Sequence, residues 1–274
     1  MQTRARPPID RCTQILCPAP GPDLPGKYTQ KLGKNNELVY SAAIMLATSS
    51  FTPRLDTLPA AQRRLWNELG DVPPAFTLYG GGAIALHLGH RESVDFDFFG
   101  RTGFDPDHLL RSVGFLSGAE VIQRQADTLT VRVDRGGPVL VSFFATPWPG
   151  RIEDPVVAPQ IHLKIASLID LAGMKADVVQ KRAEAKDYSD LDALILSGLS
   201  LTQALAAACA LLGEEFNPQI TLKALAYFAD GNPATLPEPL KRRLQEAVRG
   251  VDLSSLPVLQ LAKDEAWDRR SEAP

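Results

Sequence analysis

Residues 78–99 read LYGGGAIALHLGHRESVDFDFF, and the changes of texture along this stretch set the architecture. Ala75 to Tyr79 is a short apolar run rich in strand formers, Gly80-Gly81-Gly82 interrupts it, and Ala83 to Leu88 are strong helix formers. The order is strand, glycine turn, helix. From Ser93 to Phe99 the residues alternate, so that Val94, Phe96 and Phe98 are expected on one face of a strand and Ser93, Asp95 and Asp97 on the other. Two carboxylates then share a face, about 7 Å apart along the chain.

Such a pair offers hard oxygen ligands to a divalent cation, although a half-exposed strand facing water shows the same alternation. The glycines are equally double-edged. They let backbone amides approach a phosphate at a helix N-terminus, and they also make an ordinary tight turn. No GxxxxGK[ST] run is present, so a Walker-type site is excluded.

Working outward, Leu65 and Leu69 recur at helical spacing until Pro73-Pro74 stop the helix. The segments around Val121, Thr128 to Val133 and Val139 to Phe144 read as further strands, the last two joined by a hairpin through Asp134-Arg135-Gly136-Gly137. After Pro159 the pattern turns helical: Ser167 to Arg182, Tyr188 to Leu196, Ser200 to Leu212, Ile220 to Phe228 and Pro239 to Val248. The expected class is α+β, a mixed sheet flanked by helices and followed by a helical region, divided as a core over 55–165 and a C-terminal helical domain over 166–265. Residues 1–45, with scattered Pro, Gly and basic residues, are expected to form a disordered extension, with Met45 as an alternative start. Polar residues after Trp267 are expected to fray.

The chain has 274 residues, 45% hydrophobic and 22% charged, with a net charge of −3. It has no apolar run long enough for a membrane span, so a cytoplasmic protein without membrane contact is expected. The charge excludes a global basic field, and RNA contact would need a local patch such as one built from Lys164, Lys175, Lys181, Arg182 and Lys186. Cys12, Cys17 and Cys209 lack zinc-site spacing and read as reduced thiols. Trp66, Trp148 and Trp267 are too dispersed in sequence to suggest a stacking platform.

Residues 78–99 resemble the nucleotidyltransferase core of the AbiEii/AbiGii toxin family, a branch of the DNA polymerase β-like superfamily. In that family a Gly-Gly-Thr or Gly-Ser turn, a short helix, a Gly-His-Arg and a strand carrying Asp-x-Asp follow in this order. Here these fall on Gly80, Gly81 and Gly82, on Gly89, His90 and Arg91, and on Asp95 and Asp97. A second stretch, DLAGMKADVVQKRAEAKDYSDLDALI over 170–195, resembles the family's later motifs at Lys175, Lys186, Asp187 and Asp190. The resemblance covers about residues 60–200. It departs from the pattern at Gly82, which lacks the usual hydroxyl, and at Ser142, which stands where a third carboxylate is often found.

The resemblance implies a metal-dependent enzyme that uses Mg²⁺ or Mn²⁺ and transfers a nucleotide from an NTP to an acceptor hydroxyl. It implies Asp95 and Asp97 as metal ligands, Lys175 as a counter-charge for phosphate, and Asp187 as the group that orients or deprotonates the acceptor. Gly80, Gly81, Gly82, Arg91 and Lys186 would bind the nucleotide, Arg91 equally reading as a structural partner of a carboxylate. The implied setting is a toxin–antitoxin or phage-defence pair with a cognate antitoxin protein, and tRNA is the first acceptor implied. The alternatives are a protein or small-molecule acceptor, or a degenerate protein that binds NTP without turnover.

Overall fold

The computed structural model describes residues 51–262 apart from 147, 149 and 230. Helix α1 (Ala60–Leu65) runs into a 3-10 turn (Trp66–Asp71), and Pro73-Pro74 redirect the chain into strand β1 (Phe76–Tyr79). Helix α2 (Gly80–Leu88) follows at once and ends on Gly89, whose left-handed φ of 67° lets its N–H reach the Ala85 carbonyl. Strand β2 (Asp95–Gly100), helix α3 (Pro106–Ser112) and strands β3 (Glu120–Gln125), β4 (Thr128–Asp134) and β5 (Pro138–Ala145) come next. Two short strands, β6 (Val156–Ala158) and β7 (Leu163–Ile165), complete the sheet. Helices α4 (Leu168–Lys181), α5 (Ala185–Leu196), α6 (Leu201–Leu212), α7 (Pro218–Ala226) and α8 (Glu238–Arg249) make up the rest.

The seven strands lie in the order β3-β4-β5-β2-β1-β7-β6. β2 runs antiparallel to β1 and parallel to β5, and β1 runs parallel to β7, so the sheet is mixed as expected. Leu78, Phe96, Phe98 and Phe143 are fully buried on one side of the central strands, where the Phe98 and Phe143 rings stack 5.1 Å apart. One hydrophobic core runs from these residues into Leu171, Leu191 and Leu205 of the helices, so the sheet and the helices share an interior. The close approach of α4 to α6 depends on Gly173, where a Cβ would sit 2.9 Å from the Ala208 nitrogen.

Three expectations need correction. Gly80, Gly81 and Gly82 form the first turn of α2 rather than a separate turn ahead of it, Gly80 making the entry with a φ of 71°. The alternation expected from Ser93 starts only at Asp95: Val94 is 54% exposed and Ser93 is buried, because Val94 precedes the strand and its carbonyl accepts from Gln62 Nε2 at 2.7 Å. Cys209 is disulfide-bonded rather than a free thiol. The expectations for 1–45, for Cys12 and Cys17 and for the residues from Trp267 onward lie outside the described residues. Among the described residues no single helix is long and apolar enough to cross a membrane.

The last described residues return to the sheet. The Ala262 N–H donates to the Arg151 carbonyl at 2.7 Å, and the Leu261 side chain covers Gly150, where an added Cβ would meet it at 3.3 Å. From the other side Asp170, near the start of α4, accepts from the backbone N–H groups of Ile152 and Glu153 at 2.8 and 3.1 Å. The loop after β5 is thus fastened twice.

The Gly173 contact sets a stability test. Gly173→Val should lower unfolding free energy by about 1–3 kcal/mol through overpacking, since the atoms it meets are backbone and cannot rotate away. A urea melt that matches the wild type would show that α4 and α6 can part without cost.

Candidate active site

The site is built where α2, β2, α4 and α5 meet. The alternation of β2 places Asp95 and Asp97 on one face, with Phe99 beyond them, while Phe96 and Phe98 are buried on the other. Tyr79 of β1 lies opposite Asp97, so Gly80, the next residue, meets the Asp97 carboxylate: a Cβ there would come within 2.9 Å of Oδ2. Burial pushes the Asp97 carboxyl above its ordinary range, and the Asp95 charge pushes it further; the Ser142 hydrogen bond and the charges of Lys175 and Arg182 pull against this. Among the described residues no ion pair engages Asp95 or Asp97.

Gly82 is fixed by packing. Its Cβ position lies 2.8 Å from the Asp95 carbonyl, so no side chain fits between α2 and β2, and the hydroxyl common in the resembled family has no room here. Ser142 of β5 pairs with Asp97 in register and with Thr130 of β4 on its other side. A hydroxyl donor therefore touches Asp97 at the position where a third carboxylate was sought.

The second motif arrives on α4 and α5. Asp190 is fully buried and accepts from Arg91 Nε at 2.6 Å and Nη2 at 2.9 Å, lies 2.7 Å from His90 Nε2, and is paired with Lys175 Nζ at 2.7 Å. Burial opposes its ionisation, yet the hydrogen bonds from His90 and Arg91 and the Lys175 charge prevail and hold it far below the usual carboxylate range. Arg91 Nη2 would lie 2.2 Å from a Cβ at Gly81, so the guanidinium packs directly under the first turn of α2.

Asp187 is also fully buried, with Lys175 Nζ at 2.6 Å and Arg182 Nε at 2.7 Å. Burial works against its charge, but the Arg182 hydrogen bond and the Lys175 charge outweigh it and lower the carboxyl below its ordinary range. Both of its oxygens are engaged by cations, an arrangement that holds Lys175 and Arg182 in place. Lys175 is itself buried between Asp187 and Asp190, so it acts on Asp97 by its field rather than by reaching outward.

Arg91 does not pair with Glu92 side chain or with an aspartate of the sheet; its partners are Asp190 and the Glu92 carbonyl. Lys186 is half exposed and pairs with Glu184 at 3.0 Å, and Glu184 in turn lies 3.7 Å from Arg182, the partner of Asp187. Of the other cations expected in a local basic patch, Lys175 is buried, Lys181 pairs with Asp177, Arg182 pairs with Asp187, and Lys164 Nζ donates to the Pro74 carbonyl.

Sequence spacing also concealed an aromatic cluster. Trp148 stacks on Phe99 at 5.1 Å and lies 5.6 Å from Tyr79, correcting the view that the tryptophans join no platform. The signal available was the parity of Phe99 with Asp97, which puts both on one face.

Comparisons with known proteins bear on the family of the chain. Residues 64–269 match the family described as nucleotidyl transferase AbiEii toxin, type IV TA system. The chain is 35% identical over 118 residues to an uncharacterized protein of Aquifex aeolicus strain VF5, a match covering 42% of this chain and 55% of that protein. It thus spans about half the length of the curated relative it matches. Among solved structures, MenT4, a nucleotidyltransferase toxin from Mycobacterium tuberculosis H37Rv, aligns with a TM-score of 0.46 at 14% identity over 77% of this chain and 88% of that one. A protein from H. pylori described as a nucleotidyltransferase aligns with a TM-score of 0.43 at 15% identity over 69% and 90%.

The network generates a pH test. Asp187 and Asp190 have carboxyls lowered on folding, so their contribution is fully present above the unfolded carboxylate range near pH 4 and is lost as the solution is acidified below it. Asp190→Asn should cost about 3–5 kcal/mol at pH 7, because Lys175 and Arg91 lose their shared anion. That deficit should narrow in urea melts at about pH 3; a deficit independent of pH would mean that the charge of Asp190 does not carry its stabilising role.

Proposed function

The chain belongs to the AbiEii nucleotidyltransferase toxin family, of the type IV toxin–antitoxin kind, and on that premise we propose that it is a metal-dependent enzyme transferring a nucleotide from an NTP to an acceptor hydroxyl. The observation that carries the reading is Asp190, which touches His90, Arg91 and Lys175 at once and lies 3.3 Å from the Cβ position of Gly81. Motifs about a hundred residues apart in sequence thereby meet beside Asp95 and Asp97.

The donor set fits a divalent cation. Asp97 is half-buried, repelled by Asp95 and free of any ion pair among the described residues, and carboxylate oxygens are the ligands that Mg²⁺ or Mn²⁺ prefers. When bound, the metal would neutralise the triphosphate and align the attacking hydroxyl with the α-phosphate. Asp95 and Asp97 would hold it, two carboxylates being the protein's share and phosphate and water completing the shell. The amides of Gly80 and Gly81 at the start of α2 offer donors and a favourable dipole to the β- and γ-phosphates. Lys175 and Arg182, fixed by Asp187, would supply positive potential without direct contact.

The first acceptor to test is tRNA, within a toxin–antitoxin or phage-defence setting that would pair the chain with an antitoxin protein in the cytoplasm. A protein or small-molecule acceptor is the second reading, favoured by the burial of Lys175 and by the acidic partners that Lys181, Arg182 and Lys186 already carry.

The deciding assay incubates full-length protein with magnesium, each labelled NTP in turn and total tRNA. Label should enter RNA with the wild type and fall by about 10²–10³ with Asp97→Asn, which removes a charge from the metal site. The same variant should melt no lower than the wild type at pH 7 without metal, since it relieves burial of a charge and repulsion from Asp95. Equal transfer by both proteins would sink the assignment; NTP binding with no label on RNA would transfer support to the second acceptor class.

A further inference from the structure

Beside the carboxylates, on the same face of the sheet, lies a cavity of about 610 Å³, within the range of small-molecule sites. Its floor includes Thr77, Tyr79 and Phe99, and its walls include Trp148, Val157 and Lys164. Asp95 and Asp97 are not part of its lining, but they adjoin it: Tyr79 pairs with Asp97 across the β1–β2 ladder, and Phe99 follows Asp97 on the same face about 7 Å further along. Because β1 and β2 are antiparallel, the glycine turn after Tyr79 lies toward the Asp95 end and the cavity toward the Phe99 end. The carboxylates stand between the two.

This order matches that of a nucleotide. With β- and γ-phosphates at the glycine turn and the α-phosphate at Asp95 and Asp97, the nucleoside must extend away from the turn, toward the cavity. An acceptor nucleotide attacking opposite the departing pyrophosphate approaches from the same side. The lining suits a base. Tyr79, Phe99, Phe144 and Trp148 form a connected aromatic cluster with ring centroids 5.1–5.6 Å apart, and Val157, at the rim, is exposed. Aromatic faces stack any base, and Lys164 at the edge donates to the Pro74 carbonyl.

We propose that this cavity receives the nucleobase of a nucleotide reacting at Asp95 and Asp97, stacked against the Tyr79–Phe99–Trp148 cluster. The proposal rests on the nucleotidyltransferase reading above and adds to it a base subsite. The base could belong to the donor NTP or to the terminal nucleotide of an RNA acceptor, and the chemistry of recognition is the same.

Equilibrium binding to full-length protein with magnesium separates these sources. One arm uses each NTP without RNA, another a short single-stranded oligoribonucleotide without NTP, and a third inorganic tripolyphosphate, which has no base. Trp148→Ala should weaken one of the first two arms about tenfold, the loss expected for one stacked base, and leave tripolyphosphate unchanged. Trp148→Phe should retain most of the affinity, and Val157→Trp, which fills the cavity from its rim, should weaken the same arm as Trp148→Ala. The arm affected names the source. If Trp148→Ala and Val157→Trp bind both nucleotides as the wild type does, or if tripolyphosphate weakens in parallel, the cavity is not a base site while the catalytic reading stands. If the wild type binds neither NTP nor RNA, the catalytic reading fails and the base subsite fails with it.

Discussion

A single buried carboxylate ties the molecule together. Asp190 cannot be ionised in the interior without several partners, and those it finds come from two places: His90 and Arg91 after α2, and Lys175 on α4. The helical half therefore cannot shift relative to the glycine turn without leaving charge uncompensated in a low-dielectric interior, where breaking one partner is costly. Arg91 transmits the constraint further, because its guanidinium lies directly beneath Gly81. The geometry of the first turn of α2 is in this way set from the helical side of the site.

Asp97 is the converse case. It is less buried than Asp190, and burial and Asp95 raise its carboxyl, whereas Asp190 is lowered by its partners. Two aspartates within one site are driven in opposite directions, one engaged by cationic partners and one without an ion pair among the described residues. Gly82 reflects the same economy of space: α2 approaches the backbone of Asp95 too closely for any side chain.

Much of this was legible in the sequence because local rules governed it. The Asp-Phe-Asp-Phe alternation of β2, the Asp134–Gly137 hairpin and the caps at Ser167 and Ser200 are set by neighbours in the chain. What failed depended on distant contacts. Val94 lies ahead of the strand, where Gln62 binds its carbonyl, and Trp148 found Tyr79 and Phe99 across the sheet. The three-residue strands β6 and β7 are too short for periodicity to register, and α3 went unread although Asp105 caps it just before Pro106.

The loop that carries Trp148 is clasped between Asp170 on one side and Leu261 with Ala262 on the other. One of the two clasps is therefore Leu261 with Ala262, which meet the loop through a backbone hydrogen bond and an apolar contact. Leu261 and Ala262 thereby brace Gly150 and Arg151, which belong to the wall of the aromatic cavity, so the shape of that wall beside the carboxylates is set in part by residues more than a hundred positions later in the chain.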